Sequence, residues 1–303
     1  MSDVLQQLLD QLRLERLEDR LFRGQSQDLG WGTVFGGQVL GQAVSAAGQT
    51  VPEERQVHSL HGYFLRKGDT ALPIIYDVER IRDGSSFTTR RVIAIQKGRP
   101  IFSLSASFQV PEEGLDHQAA LPATTPPEEL LSERELAQKI AQRIPEGLRA
   151  SVLAEKPIEI RPVDPTNPLK PSVGEPRRQV WFRANGQLPD DPRVHRHLLA
   201  YASDFHLLGP TLQPHGVSWF TPGMQIASLD HAMWFHRPFR LDEWLLYDID
   251  SPSACGARGL ARGQFFTREG VLVASTAQEG LIRRRTAQDG LEGSRAAGEA
   301  EPS

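Results

Sequence analysis

Apolar residues in this chain recur with two periods, and each period predicts a different kind of element. Over 194–209 (VHRHLLAYASDFHLLG), Val194, Leu198, Tyr201, Phe205 and Leu208 fall at helical spacing, with Leu199, Ala200 and Ala202 filling the gaps. The spacing predicts a helix of about four turns, apolar nearly all round at its middle and therefore buried. Asp191 and Pro192 offer an N-cap and a first-turn proline, and Gly209-Pro210 offers a stop. One carboxylate, Asp204, lies inside this run. A buried carboxylate must be paired, hydrogen-bonded or protonated, so Asp204 is either a structural residue with loop partners or a group held for chemistry.

Elsewhere strand-like runs dominate. Residues 2–22 read as an amphipathic charged helix, 20–27 as a short strand, and 38–48 (QVLGQAVSAAG) as a helix whose small residues permit close packing on a sheet. Strand-like runs follow over 57–66, 73–82, 86–96 and 99–111, and Asp83-Gly84 and Lys97-Gly98 mark turns that make the last three a meander. Residues 112–130 are acidic and proline-rich, as in a linker. Ser132 with Glu135 forms a capping-box signal for a helix to about 143. Further strands are expected over 157–163, 179–183, 225–237, 243–251, 256–267 and 271–281.

The second half repeats the order of the first. Ile75-Tyr76-Asp77-Val78 matches Leu246-Tyr247-Asp248-Ile249 at an offset of 171, and Arg66/Arg237 and Arg91/Arg262 share that offset. Lys97-Gly98 and Glu269-Gly270 mark one equivalent turn, with one residue gained in the second copy. The expected fold class is therefore α+β, with two fused units that each wrap an antiparallel sheet around a central helix. The units span 1–111 and 156–285, joined by a linker with a helix over 112–155. A polar tail over 286–303 is expected to be disordered. Pairing the two sheets edge to edge would cover otherwise open strands.

Charge and composition narrow the function. A formal charge of -4 over 303 residues, with acids and bases interspersed, gives no basic face for nucleic acid or an anionic membrane. One cysteine, Cys255, excludes an internal disulfide and a thiolate-rich metal site, which fits a reducing compartment and makes the cytoplasm the expected location. No signal-peptide pattern, no run approaching ~18 apolar residues and no Ser-Lys-Leu type C-terminal address are present in the sequence. Gly30-x-Gly32-x-x-x-Gly36 misses the dinucleotide fingerprint, and Gly216-Val217-Ser218-Trp219-Phe220 fails the nucleophile-elbow pattern at its last position. His231 and His236, five apart on one strand, face opposite sides and form no metal pair, so neither a metal nor a cofactor is expected. His58 and His61 open the first long strand, where a histidine is a structural or exposed residue or, less readily, a general base.

Several multi-residue blocks carry a resemblance. Phe22-Arg23-Gly24, Val34-Phe35-Gly36-Gly37-Gln38 and Tyr63-Phe64-Leu65-Arg66 stand in the first half; Tyr201-Ala202-Ser203-Asp204, Asp230-His231-Ala232-Met233-Trp234-Phe235-His236-Arg237 and Val273-Ala274-Ser275-Thr276-Ala277-Gln278-Glu279-Gly280 stand in the second. Over roughly residues 5 to 284 the chain resembles acyl-CoA thioesterase II, the TesB-type family with a double hotdog fold. The resemblance implies hydrolysis of medium- to long-chain acyl-CoA to free fatty acid and CoA. The water is activated by an Asp, a Thr or Ser hydroxyl and a Gln, without a covalent intermediate. Carried onto this chain these are Asp204, Ser228 and Gln278, with the methyl of Thr absent at 228. Taken singly, Ser228 reads as an ordinary strand serine and Gln278 as a solvent-facing residue. His58, Arg66 and Arg90 are the expected substrate-binding residues, the arginines on surface loops toward the CoA phosphates. The resemblance also implies a homo-oligomer, dimer or tetramer.

Two other functions stand beside hydrolysis. A hydratase or dehydratase on the same fold needs a His and a carboxylate at the substrate carbon, whereas His206, two residues from Asp204, points elsewhere. A non-catalytic acyl-CoA binding module would leave Asp204 purely structural.

Overall fold

The computed structural model describes residues 2–144 and 146–285, so the expected tail over 286–303 lies outside the described residues. Ser2 caps α1 (Asp3–Leu12), which buries Leu5, Leu8 and Leu12. The helix stops there instead of running to 22. The chain reverses so that β1 (Glu15–Arg16) pairs with β2 (Leu21–Gly24), burying Leu14 and Phe22. The first unit continues with α2 (Gly36–Gly48), β3 (Gln56–Phe64), β4 (Ile74–Asp83), β5 (Phe87–Gln96) and β6 (Arg99–Gln109). In the linker, the Ser132–Glu135 capping box opens α3 (Glu133–Lys139), and α4 (Glu146–Leu153), which the sequence pattern did not signal, follows. The second unit comprises β7 (Ile158–Pro162), β8 (Arg177–Ala184), α5 (Pro192–Ala202), α6 (Gly209–Leu212), β9 (Met224–Ser228), β10 (Asp230–Phe235), β11 (Leu245–Cys255), β12 (Arg258–Thr267) and β13 (Leu272–Arg284). Among the described residues no helix is long and apolar enough to cross a membrane.

Among the described residues all thirteen strands join one antiparallel sheet, β1-β2-β4-β5-β6-β3-β10-β13-β12-β11-β8-β7, with β9 added on β13. The two units therefore meet edge to edge at β3 and β10, where His61 stands opposite Ala232. Their numbers differ by 171, the offset of the sequence repeat, so an approximate two-fold axis runs through this pair. The sheet curls around α2 and α5, which pack side by side at backbone distance: a Cβ on Gly37 would stand 2.2 Å from the carbonyl oxygen of Tyr201.

Two expected elements break where chemistry sits. The helix predicted over 194–209 ends at Ala202. Ser203 bonds back to the Ala200 carbonyl, His206 takes a left-handed φ of 66°, and Gly209-Pro210 begins α6 rather than ending α5. Asp204 thus lies just beyond the helix. The strand predicted over 225–237 divides at Leu229. Ser228 faces Gly280 while Ala232 faces Ala277, so one extra residue separates the two registers. This is a β-bulge, which bends a strand and re-aims its side chains. The first unit carries its counterpart, a register shift between Val57 and Ser59, with His58 at the position equivalent to Leu229.

Candidate active site

The broken helix and the bulged strand bring Asp204 and Ser228 together, and β13 adds Gln278. Gln278 Nε2 donates to Ser228 Oγ at 2.8 Å, and Ser228 Oγ lies 3.4 Å from Asp204 Oδ1. Gln278 is 1% exposed, whereas Asp204 and Ser228 keep one side open to solvent. The open side is where a water and a substrate can reach the carboxylate and the hydroxyl.

Asp204 also faces the start of α2. The backbone N–H of Gly37 lies near enough to favour its charged form, and a Cβ on Gly36 would stand only 2.7 Å from Asp204 Oδ2. Glycine at 36 is what lets the carboxylate approach the helix terminus, whose partial positive charge favours an anion. Even so, burial pushes the Asp204 carboxyl above the ordinary carboxylate range, opposed by His231, Gln278, Gly37 and Ser228. Such a carboxylate is a stronger base than one in water. Aromatic rings wall the recess: Phe35 stacks on Phe205 with centroids 4.4 Å apart and meets Tyr201 edge-on, and the Phe64 ring lies 3.0 Å from the position of a Cβ on Gly36.

The other expected residues fall elsewhere. His58 bonds Ser107 Oγ at 2.8 Å and packs edge-on to the exposed Phe87, on the sheet face turned away from the helices. Arg66 is exposed at the end of β3, close to Phe64, and donates to the Pro100 carbonyl. Arg90 requires a correction, because it lies in β5 and not on a surface loop. It is 2% exposed, and its guanidinium is committed to Asp83, to the hydroxyl and carbonyl of Thr50, and to the carbonyls of Arg82 and Thr89. A buried arginine must have every donor satisfied, so Arg90 binds the fold and leaves nothing for a ligand. His206 turns away from Asp204 to Glu133 and Arg178.

The sequence reading missed His231. Its imidazole is fully buried, with Nδ1 2.5 Å from Gln278 Oε1 and Nε2 3.0 Å from Ser203 Oγ, and burial holds its pKa below the usual histidine value. The signal was in the alternation of β10, where His231, Met233 and Phe235 share the inward face. A histidine interrupting an apolar face needs a buried partner.

The two-fold relation shows how differently the units are equipped. At the offset of 171, Val57 and Leu60 are the counterparts of Ser228 and His231. Leu60 stands opposite Ala106, just as continuing the register from Ala232–Ala277 sets His231 opposite Gln278. The first unit fills these positions with buried apolar residues.

Family models match both halves: residues 26–109 match "Acyl-CoA thioesterase N-terminal domain" and residues 148–281 match "Acyl-CoA thioesterase". Acyl-CoA thioesterase 2 of Haemophilus influenzae is 48% identical over 279 residues, covering 92% of this chain and 98% of that protein. The solved structure of an acyl-CoA thioesterase II, TesB2, from Mycobacterium marinum superposes with a TM-score of 0.73 at 43% identity, over 92% of this chain and 99% of that one. A hot dog fold protein from Alicyclobacillus acidocaldarius superposes with a TM-score of 0.73 at only 16% identity, over 92% and 99% of the two chains, a likeness of fold alone.

Proposed function

This chain belongs to the acyl-CoA thioesterase family and hydrolyses acyl-CoA thioesters, and we propose that it does so by directing one water with Asp204, Ser228 and Gln278. The observation that carries the proposal is the convergence of these three side chains, from a helix end, a bulge and the neighbouring strand, on a recess open to solvent. A thiolate leaves readily, since its conjugate acid titrates near 8.5, so the demanding steps are positioning water and holding developing charge. Asp204 takes the water proton, while Ser228 and the Gln278 amide fix the water's lone pair toward the carbonyl carbon. The products are a free fatty acid and CoA, with no covalent intermediate.

We place the acyl chain of medium- to long-chain substrates in a cleft of about 270 Å³, where Leu212, Val217, Met224 and Ile282 supply apolar surface beside His215, Arg258 and Arg284. Met224 lies four residues along β9 from Ser228, about 13 Å at strand rise. Arg66, exposed two residues beyond Phe64 of the recess, is the group we assign to the CoA phosphates. The exposed residues His61, Tyr63 and Trp234 on the outer sheet face at the two-fold axis support assembly as a homo-oligomer, and the unpaired, exposed Cys255 suits the cytoplasm.

A single turnover of palmitoyl-CoA in ¹⁸O-labelled water tests the mechanism. Direct attack puts one ¹⁸O in the released acid and none in the protein. Unlabelled acid with label in the Asp204 carboxylate would mean that Asp204 attacks the thioester itself.

A further inference from the structure

We propose that His231 is a positioning residue for the hydrolysis: it locks the Gln278 amide in the orientation that turns its N–H groups toward Ser228 and Asp204. The proposal rests on the reading of Asp204, Ser228 and Gln278 given above. Gln278 Oε1 can only accept, so the imidazole nitrogen 2.5 Å from it, Nδ1, carries a proton. Nε2 lies 3.0 Å from Ser203 Oγ, whose single proton is also within reach of the Ala200 carbonyl; in the Nδ1–H form that proton turns from the carbonyl to the bare Nε2, and the imidazole is satisfied at both ends. Were the amide turned over, its NH₂ would meet Nδ1–H, donor against donor. Its oxygen would then face the Asp204 carboxylate. A glutamine without this clamp samples both orientations, and in the wrong one it draws the Ser228 proton toward itself and away from Asp204.

The two-fold relation supplies a second, independent argument. The equivalent position in the first unit is Leu60, 0% exposed, facing Ala106 in place of Gln278. The sheet accepts a leucine at this point, so packing does not demand a histidine. It occurs in the unit that carries the glutamine it holds.

Three substitutions test the proposal. Asparagine puts an amide nitrogen near the place of Nδ1, glutamine puts one near Nε2, and leucine copies the first unit. His231→Asn should keep kcat within about 5-fold, while His231→Gln and His231→Leu should lose about 10²-fold in kcat with KM within about 3-fold, the scale of a small misplacement of a reacting group. Because the effect passes through Gln278, the His231→Leu/Gln278→Ala double variant should be no slower than Gln278→Ala alone. Thermal melts establish that each variant is folded, and Asn and Gln bury similar amides, so a merely structural role would move both alike. Equal kcat in the Asn and Gln variants, or additive losses in the double variant, would overturn the proposal. Full activity in Gln278→Ala would sink the reading of the site itself, and the role of His231 with it.

Discussion

Gly36→Ala adds one methyl group where Asp204 meets α2. The new Cβ would stand 2.7 Å from Asp204 Oδ2 and 3.0 Å from two atoms of the Phe64 ring, against an ordinary contact that begins near 3.4 Å. Relieving the carboxylate contact takes 3.4 − 2.7, about 0.7 Å of retreat from the helix terminus. A misplacement near 1 Å costs about 10²-fold, so the expected loss in kcat is roughly 10- to 10²-fold. Stability should change little. Gly36 does not use a positive φ, and the better helix propensity of alanine, up to about 1 kcal/mol, offsets part of an overpacking cost of about 1–3 kcal/mol. Gly37→Ala is the control in the opposite sense. Its Cβ would stand 2.2 Å from the backbone oxygen of Tyr201, which cannot rotate away, so it should lower stability by about 3 kcal/mol or more. Thiol release under saturating acyl-CoA, with melting temperatures alongside, separates the two. A Gly36→Ala enzyme with wild-type kcat would refute the claim that helix α2 sets the position of Asp204.

Asp204→Asn should lower kcat by about 10²–10⁴-fold, the usual worth of a general base. Because the folded carboxyl titrates above its unfolded value, the stability it contributes is fully present below the unfolded pKa and is lost as pH rises through the folded one. The Asn variant should therefore melt higher than wild type at pH 8 and lose that advantage at pH 4, and the wild-type rate should fall on acidification at a pH above the ordinary carboxylate range. Ser228→Ala removes a hydrogen bond worth about 1–3 kcal/mol, so kcat should drop about 10- to 10²-fold, while Ser228→Thr keeps the hydroxyl and the rate. Arg66→Ala should raise KM for acyl-CoA roughly 2- to 5-fold, less at high salt and not at all for acyl-pantetheine, which lacks the nucleotide phosphates. Arg90→Ala should leave KM unchanged and cost about 3 kcal/mol of stability by denaturant titration, because it opens a cavity and leaves the carbonyls of Thr50, Arg82 and Thr89 without their donor.

Much of the architecture is legible in residue order because local backbone geometry writes it there. The turns at Asp83-Gly84 and Lys97-Gly98, the capping box at Ser132 and the small-residue run before Gly48 each appear as elements within a few residues of their expected limits. The repeat offset of 171 reappears as the pair His61–Ala232 at the junction of the units. The errors have local causes of their own. Phe205 and Leu208 keep helical spacing, yet they pack from a turn, because Ser203 competes for the helix backbone and His206 adopts a left-handed conformation. Likewise, Leu229 looks like the middle of one strand, since a bulge adds a residue without disturbing the apolar pattern on either side.

By itself the sequence determined most of the elements, their order and their duplication, and through the family resemblance it nominated Asp204, Ser228 and Gln278. Only the tertiary structure decided that His231 points inward to Gln278, that Arg90 is consumed by Thr50 and Asp83, and that the first unit presents Val57, Leu60 and Ala106 where the second presents Ser228, His231 and Gln278. Periodicity reports the conformation of neighbouring residues. Desolvation and hydrogen-bond partnership depend on atoms that the chain separates by tens of residues, as it does Gly36, Asp204 and Gln278, and those are settled when the sheet closes around its two helices.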